Sequence, residues 1–313
     1  MQAPRRIDTH HHFIPPRYLA AVGAAAIGRT LVSGRAPDWT PQHSIDAMDR
    51  HGIATAVVSI SAPGFACEHA ERADLCRHCN DFAARMRADF PGRFGNFAAL
   101  PLPDIDASLK EIARAFGELK ADGIGLLTNY DGHYLGDARF APVFEELNRR
   151  AAVVYVHPTE GCACELELPP ASLEFPFDTT RTIASLLFSG TFNRYRDIKF
   201  IFSHAGGTIP FVADRIARLE RRPDFAKHVP DGVIAALQRL YYDTALSANQ
   251  RAMDTLLSLV PVQQVVFGSD YPYAPEEAMA GTVKGLAALG LADDELTAIE
   301  RGNALRLLPG LGR

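Results

Sequence analysis

The residues of this chain that could carry chemistry begin near its start, in the run Asp8-Thr9-His10-His11-His12. Side chains alternate between the two faces of an extended strand, so the sequence predicts that Asp8, His10 and His12 share one face. Pro15 follows closely and ends the strand. Two imidazoles with this spacing can hold a single transition-metal ion. Asp8, one step below His10, is expected either to orient a ligand imidazole or to form a hydrogen bond at the floor of the structure.

The same pattern recurs further along the chain, where apolar segments stop at one polar side chain. His157 precedes Pro158, and His204 precedes an Ala-Gly-Gly turn. Asp270 lies two residues before Pro272. Packing can explain one histidine at such a strand end, but the whole set indicates a polar ring around a metal ion. Other histidines of the chain fit ordinary hydrogen-bonding roles, namely His51, His133 and His228.

These residue types narrow the choice of ion. Imidazoles with one carboxylate suit divalent zinc, iron, cobalt or manganese rather than a soft, thiolate-type site. The predicted ligands are His10, His12, His157 and Asp270, and this set leaves room for a water molecule or a substrate. His204 is then the spare histidine. We assign it to proton transfer because its Ala-Gly-Gly sequel lets the backbone approach closely.

The segments that must position these side chains alternate between apolar, β-branched runs and helical patterns, which indicates βαβ units and a parallel sheet. Strands are predicted at residues 6–12, 55–61, 94–102, 123–128, 153–158, 199–204, 240–245 and 264–272. Eight strands with intervening helices predict an α/β fold, a (β/α)8 TIM barrel with its chemistry at the C-terminal strand ends. The long connections at 13–54 and 159–182 are expected to build the active site, and residues 1–313 to form a single domain.

Composition agrees with a globular protein that has a substantial core. The chain is 47% hydrophobic and 22% charged with a formal net charge of -5, which gives no reason to expect nucleic-acid binding. No apolar run approaches the roughly 18 residues of a membrane span, and Met1 to Arg6 lacks the apolar core of a secretion signal. We therefore expect a soluble, cytoplasmic protein that binds neither nucleic acid nor membrane.

The five cysteines are expected to be reduced thiols, because their number is odd and no secretion signal is recognised. Cys76 and Cys79 have the spacing of a ligand pair. They lie in a helical pattern with no second pair to match them, which favours burial in the core. Cys162 and Cys164 follow His157 in a predicted loop, and we assign them no chemistry.

Taken together, these motifs resemble those of the amidohydrolase superfamily. The closer resemblance is to its nonoxidative decarboxylases, which include aminocarboxymuconate semialdehyde, γ-resorcylate and 6-methylsalicylate decarboxylases. The matching stretches keep the family's order over almost the whole chain: Asp8 to Pro15, Val156 to Pro158, Phe202 to Gly207, Gly268 to Pro272 and Gly302 to Leu308. The resemblance implies a carboxy-lyase that releases carbon dioxide from a hydroxylated aromatic or enolic carboxylic acid.

The resemblance also implies how the metal is held. In the related enzymes one ion is bound at the positions that match His10, His12, His157 and Asp270. The position that matches His204 acts there in proton transfer. Many hydrolases of the superfamily bridge two metals with a carboxylated lysine on strand four. The absence of lysine from residues 123–128 favours one divalent ion, zinc first and manganese as the alternative.

Two arginines match arginines of aminocarboxymuconate semialdehyde decarboxylase. Arg35 lies four residues before Trp39 in the loop after strand one, and Arg222 begins an Arg-Pro-Asp stretch after strand six. A guanidinium group suits the carboxylate of a small-molecule substrate. In the relative the second arginine is donated across a dimer, so the resemblance implies a homodimer.

The chemistry and the function each leave alternatives open. In one route Asp270 or His204 protonates the ring or alkene carbon before carbon dioxide leaves, while Arg35 or Arg222 steers the carboxylate. In the other route, hydroxide at the metal, activated by His204, adds to the substrate before carbon dioxide leaves. The main alternative function is a metal-dependent hydrolase, such as a lactonase or amidohydrolase, or a hydratase on the same scaffold. A non-catalytic barrel that uses metal only for stability is the third.

Overall fold

The computed structural model describes residues 5–160 and 168–312. Within them, eight parallel strands surround one axis, and we number them in chain order. They are β1 Arg6–His12, β2 Ile53–Ser59, β3 Phe94–Ala99, β4 Gly123–Leu127, β5 Val153–His157, β6 Lys199–Phe202, β7 Tyr241–Asp243 and β8 Val265–Val266. Each strand pairs with the next one in this order, which confirms the predicted α/β barrel.

Backbone hydrogen bonds between β1 and the segment after β8 bring the two edges of the sheet together. His12 N donates to Tyr271 O at 2.7 Å. Ser269 N and Asp270 N both donate to His10 O, at 3.2 and 2.8 Å. The closure of the barrel therefore runs through the histidine segment itself, and it fixes the position of Asp270 relative to β1.

Helices cover the outside of the strands, as parallel strands joined by crossovers require. They are α1 Pro16–Val22, α2 Ala24–Arg29, α3 Pro41–Arg50, α4 His69–Asp89, α5 Ile105–Gly117, α6 Ala141–Arg149, α7 Glu174–Phe188, α8 Thr191–Arg194, α9 Ile209–Ala217, α10 Pro223–Ala226, α11 Val233–Gln238, α12 Gln250–Leu259, α13 Glu276–Ala287, α14 Asp293–Thr297 and α15 Asn303–Leu307. Side-chain caps mark several starts; Asp104, for example, accepts a hydrogen bond from Ala107 N at the start of α5.

The interior of the barrel is filled with side chains from the strands. Phe97 from β3 stacks on Tyr155 from β5, with ring centroids 5.3 Å apart. Both side chains are buried, in one cluster with Val57 and Ile201. The Tyr155 ring also lies 5.3 Å from the ring of His10. The apolar core therefore packs against the inner side of the β1 histidines. Their other side faces the C-terminal end of the barrel.

The last strands are shorter than the sequence predicts. β7 and β8 cover only three and two residues of the predicted segments 240–245 and 264–272. The chain leaves the extended conformation soon after each strand, since Leu246 and Asp270 have φ angles of 54° and 65°. A residue with a left-handed φ angle cannot be part of a strand. The apolar segments of the sequence therefore extend beyond the residues that pair in the sheet.

The segments that connect the strands agree with the sequence predictions to different degrees. The long connection after β1 folds into α1, α2 and α3, so residues 13–54 are mostly helical. After β4, the structure has a short antiparallel hairpin that the sequence analysis missed, with Asn129–Tyr130 paired to His133–Tyr134. The long connection after β5 leads into α7, and part of it lies outside the described residues.

Two further expectations are tested by burial and helix length. Cys76 and Cys79 are buried in α4, as predicted. Cys162 and Cys164 lie outside the described residues. None of the helices in the described part of the chain has the length and apolar character needed to cross a membrane.

Candidate metal centre

His10 and His12 direct their rings to one point at the C-terminal end of β1, where their Nε2 atoms lie 3.0 Å apart. The register of β1 is irregular between Asp8 and His11, so the strict alternation predicted for this strand is interrupted there. Asp8 Oδ2 contacts His11 Nδ1 at 3.0 Å. Asp8 Oδ1 accepts hydrogen bonds from the backbone N of His10 and of Ser269. The side chain of Asp8 therefore joins His11 to the segment after β8, and among the described residues it is hydrogen-bonded to neither of the rings of His10 and His12.

His157 and Asp270 complete a cluster of four possible ligands with the two β1 histidines. One ligand atom from each residue lies within 4.8 Å of the others, and all four residues are buried. Asp270 Oδ1 lies 3.1 Å from His10 Nε2, 3.0 Å from His12 Nε2 and 3.9 Å from His157 Nε2. The structure thus brings together, at the C-terminal end of the barrel, the four residues that the sequence predicts as ligands.

The ring nitrogens that face away from the cluster meet oxygen acceptors. These pairs are His10 Nδ1 with Asp243 Oδ2 at 2.7 Å, His12 Nδ1 with Ser59 O at 3.1 Å, and His157 Nδ1 with Pro158 O at 2.7 Å. Each acceptor favours a proton on Nδ1, which leaves a lone pair on Nε2. His157 Nε2 is buried and has no hydrogen-bond partner among the described residues. Three inward lone pairs beside one carboxylate oxygen fit a divalent metal ion.

Burial and charge set the protonation of these groups. Burial lowers the pKa of His12, and it lowers the pKa of His157 well below its usual value, with the nearby His12 and His10 adding to the second shift. Burial alone would raise the pKa of Asp270, but His10 and the hydrogen bonds from neighbouring histidines hold it well below its usual value. Burial alone would lower the pKa of His10, but the carboxylates of Asp243 and Asp270 raise it to about 10. His10 must therefore release a proton to bind a divalent cation, whereas neutral His12 and His157 and ionised Asp270 already have the forms that bind one.

His204 approaches the cluster from the end of β6. Its Nε2 lies 3.4 Å from Asp270 Oδ2, the carboxylate oxygen that faces away from His10 and His12. Its Nδ1 has no hydrogen-bond partner among the described residues. His204, Ala205 and Asp270 all have left-handed φ angles, between 53° and 65°. Such backbone costs free energy in residues other than glycine and is concentrated at functional sites.

Asp243 is a site residue that the sequence analysis missed. It is fully buried at the end of β7. Its Oδ2 lies 2.7 Å from His10 Nδ1, and its Oδ1 accepts from the backbone N of His204 and Ala245 at 2.9 and 3.0 Å. One signal could have found it, because this carboxylate also ends an apolar strand. Unlike His157, however, it has no proline or glycine directly after it.

An open cavity of about 750 Å³ leads from the cluster to the surface. His157 and Asp270 line it, together with apolar and aromatic side chains that include Leu31, Phe175, Leu246, Tyr271 and Tyr273. Arg35 also lines the cavity and adds a positive charge there. A cavity of this size and largely apolar lining suits a small, largely apolar ligand.

Arg222 lies elsewhere on the chain. It is exposed, and its Nη2 pairs with Asp224 Oδ2 at 2.8 Å. Among the described residues, it is not one of those that line the cavity. Within one chain, the structure therefore places only the first of the two predicted arginines near the site.

Comparison with known proteins adds to this geometry. The amidohydrolase family model matches residues 7–310. The chain belongs to the amidohydrolase family. Decarboxylase yanB of Aspergillus niger is 39% identical over 323 residues, which cover 97% of this chain and 87% of the relative. The 6-methylsalicylic acid decarboxylase of Penicillium expansum is 36% identical over 98% of this chain and 97% of its own.

Solved structures agree with the family. A structure described as an amidohydrolase II superposes with a TM-score of 0.90 at 30% identity, covering 97% of this chain and 99% of its own. A dihydroxybenzoic acid decarboxylase of Polaromonas, with bound manganese and the inhibitor 2-nitroresorcinol, superposes with a TM-score of 0.81 at 22% identity, covering 100% of this chain and 98% of its own. The second likeness is one of fold. This member of the amidohydrolase family is a carboxy-lyase of the nonoxidative decarboxylase branch.

Proposed function

We propose that the protein is a metal-dependent nonoxidative decarboxylase that releases carbon dioxide from a hydroxylated aromatic carboxylic acid or an enolic one. The observation that carries the proposal is the cluster of His10, His12, His157 and Asp270 at the base of a cavity that Arg35 also lines. The relative that acts on 6-methylsalicylic acid supports the aromatic substrate. In this proposal residues 1–313 form a single domain, and the protein is cytoplasmic.

The four clustered residues would hold one divalent ion, for which zinc is our first choice and manganese the alternative. The manganese in the Polaromonas decarboxylase is a reason to test both. When bound, such an ion would supply Lewis-acid chemistry that polarises the oxygen atoms of the substrate. The outer hydrogen bonds of the three histidines hold their rings in place for this binding.

The chain's own residues then account for the movement of charge. Cleavage of the bond between the ring carbon and the carboxylate returns an electron pair to that carbon, which must receive a proton. His204 Nε2 lies 3.4 Å from Oδ2 of Asp270, and Asp270 lines the cavity. Because the resting Asp270 is ionised, the proton comes from protonated His204, either directly or by way of Asp270. Arg35 holds the carboxylate and orients the reacting carbon toward these two groups.

The homodimer is part of the same proposal. Arg222 lies outside the cavity of its own chain, and its exposed position leaves it available to a neighbouring subunit. In the dimer that we propose, each Arg222 enters the site of the other subunit and adds a second positive charge near the substrate carboxylate.

A screen for released carbon dioxide tests the function. Protein reconstituted separately with zinc and with manganese is incubated with 2-hydroxybenzoates, dihydroxybenzoates and enolic dicarboxylic acids. We expect carbon dioxide from at least one hydroxybenzoate and no hydrolysis of lactones or amides. Hydrolysis of a lactone or an amide without carbon dioxide release would instead establish the hydrolase. Inactivity of the fully loaded protein on all of these compounds would overturn the proposal.

A further inference from the structure

We propose that Asp243 is a positioning residue that controls two parts of the site with one carboxylate. Its Oδ2 meets the side chain of His10, and its Oδ1 meets the backbone N of His204. The inference rests on the metal centre of the proposed function. It concerns how this chain prepares His10 to bind metal and His204 to exchange a proton.

The contact with His10 decides which ring nitrogen carries the proton. His10 Nδ1 lies 2.7 Å from Asp243 Oδ2, a fully buried acceptor that cannot be replaced by solvent. A proton held on Nδ1 leaves the lone pair on Nε2, the atom that faces His12 and Asp270. Asp243 therefore selects the His10 tautomer that can bind metal, through the ring nitrogen that faces away from the metal site.

The contact with His204 supports an unusual backbone. His204 and Ala205 have φ angles of 53° and 56°, in the left-handed region. Asp243 Oδ1 accepts from His204 N at 2.9 Å and from Ala245 N at 3.0 Å, so it ties the turn after β6 to the end of β7. This anchor fixes where the His204 ring stands relative to Asp270.

Asp243→Asn separates the contact with His10 from the contact with the His204 backbone. The backbone N–H groups of His204 and Ala245 fix the orientation of the new amide. The amide oxygen must take the place of Oδ1, which accepts from His204 N and Ala245 N. The amide NH2 group then points to His10 Nδ1 and must donate to it. His10 is forced to carry its proton on Nε2, where the proton blocks the metal. Asp243→Ala, in contrast, removes both contacts.

The first measurement is metal affinity, which needs no substrate. We titrate the folded wild type and Asp243→Asn with zinc and, separately, with manganese. Substitution of such an outer partner typically lowers metal affinity about 10- to 100-fold, and we expect a loss in that range.

Activity separates the two roles once a substrate is known. Excess metal should restore most of the kcat of Asp243→Asn, which keeps the His204 anchor. It should not restore that of Asp243→Ala.

Asp178→Asn is the matched control. Asp178 is as buried as Asp243 and also accepts several hydrogen bonds, from Thr128, Asn129 and Tyr134, none of which belongs to the metal cluster. We expect it to bind both ions with wild-type affinity. Circular dichroism and thermal unfolding establish that each variant is folded.

A second measurement uses the wild type alone and remains decisive if the variants fail to fold. In zinc-loaded protein labelled with 15N at histidine, the His10 signals should show a proton on Nδ1 and none on Nε2. The absence of a proton on Nδ1, or wild-type metal affinity in folded Asp243→Asn, would overturn the inference while leaving the proposed function intact. A proton on Nε2 would remove His10 from the metal ligands and contradict the proposed metal centre as well. A wild type that binds neither ion would overturn both.

A separate observation concerns Leu246, in the turn after β7. This leucine lines the cavity, it is 49% exposed, and its φ angle is 54°. A left-handed conformation is unfavourable for a leucine backbone, so the surrounding fold must impose it at this position of the cavity wall. We infer that Leu246 determines specificity, with its side chain packed against an apolar edge of the bound aromatic ring.

Calorimetry tests this role with metal-loaded protein in which every variant also carries His204→Asn, so that the ligands bind without being turned over. The ligands are 2-hydroxybenzoate and an analogue that carries one alkyl group on the ring. Leu246→Ala should weaken binding of the alkylated compound about tenfold and that of the parent less, as the loss of an apolar contact predicts. Leu246→Met should retain the wild-type preference. Phe211→Ala, at an exposed phenylalanine outside the cavity, is the control. Equal losses for both ligands, or none, would overturn the inference.

Discussion

The Nε2 atoms of His10 and His12 lie 3.0 Å apart at the mouth of the barrel, while both Nδ1 atoms face oxygen acceptors. With the protons on Nδ1, both Nε2 atoms direct a lone pair to the same point, as ligands of one metal ion must. Asp270 Oδ1, 3.1 and 3.0 Å from the same two nitrogens, adds a negative charge beside them. This site exists only when the folded barrel gathers distant residues, so a cation binds the folded chain in preference to the unfolded one, and metal binding and folding stability should be linked.

Metal removal should therefore destabilise the fold. A ligand present at 100 times its dissociation constant stabilises a folded protein by about 2.7 kcal/mol, so zinc in such excess should raise the melting temperature measurably above that in chelator. His157→Asn should lose most of this difference because it removes one inward nitrogen. His133→Asn, on the hairpin after β4, should retain it. Equal melting of the wild type with zinc and with chelator would contradict the linkage.

His204 should be needed for turnover and dispensable for metal. Its nearest cluster contact is Asp270 Oδ2 at 3.4 Å, and it is outside the group of four that could share an ion. His204→Asn should lower kcat about 10²- to 10⁴-fold, the usual range for a lost acid or base. The metal content, measured by elemental analysis of the same preparation, should stay at the wild-type ratio. Loss of the metal would show instead that His204 is a ligand.

The sequence predicts the barrel and the ligands for the same reason. Buried parallel strands are apolar along their length, so a polar residue at the end of such a run stands out, as His157 and Asp270 do. The ends of the strands are less predictable. β7 ends at Asp243 and β8 at Val266, and Leu246 and Asp270 adopt left-handed φ angles further along the same apolar segments. No pattern of residue types reveals a backbone conformation that the surrounding fold imposes.

Asp243 and the hairpin after β4 show two different reasons for a miss. Asp243 acts through another side chain, and the contact joins residues 233 positions apart in the sequence. Such a pairing follows only from the closed barrel. The hairpin has a local signal, the Asp131-Gly132 pair typical of a two-residue turn. Its strands of two residues each, Asn129–Tyr130 and His133–Tyr134, are too short to show alternation.

Arg35 should contribute to substrate binding more than to turnover. It lines the cavity and presents a guanidinium group to the substrate carboxylate. Arg35→Ala should raise KM about tenfold or more, the scale of a lost charge-assisted hydrogen bond, with a smaller change in kcat. Arg29→Ala, at an exposed arginine of α2 outside the cavity, should leave both constants unchanged. An unchanged KM in Arg35→Ala would remove this arginine from the proposal.

Arg222 should act in the site of a second subunit. An Arg222→Ala protein keeps His204, whereas a His204→Asn protein keeps Arg222, so each homodimer alone should be impaired. When the two are mixed and allowed to exchange subunits, about half of the dimers become mixed and one site of each regains both residues. The expected activity is about one quarter of the wild type. Activity that does not rise above the sum of the separate proteins would contradict the exchange of Arg222 between subunits.

Glu276, at the start of α13, should make the fold sensitive to acid. Hydrogen bonds from Arg50 and His51 lower its pKa to about 2, against about 4.3 for an unfolded glutamate. Its contribution to the free energy of unfolding is therefore complete above pH 4.3 and is lost as the pH falls toward 2. Because Arg50 is largely exposed, Glu276→Gln should cost about 1 kcal/mol or less at pH 7. Urea unfolding should show this difference shrinking below pH 4.3, and Glu145→Gln, at an exposed position of α6, should show none. A difference that persists unchanged at low pH would mean that Glu276 stabilises the helix by some means other than its charge.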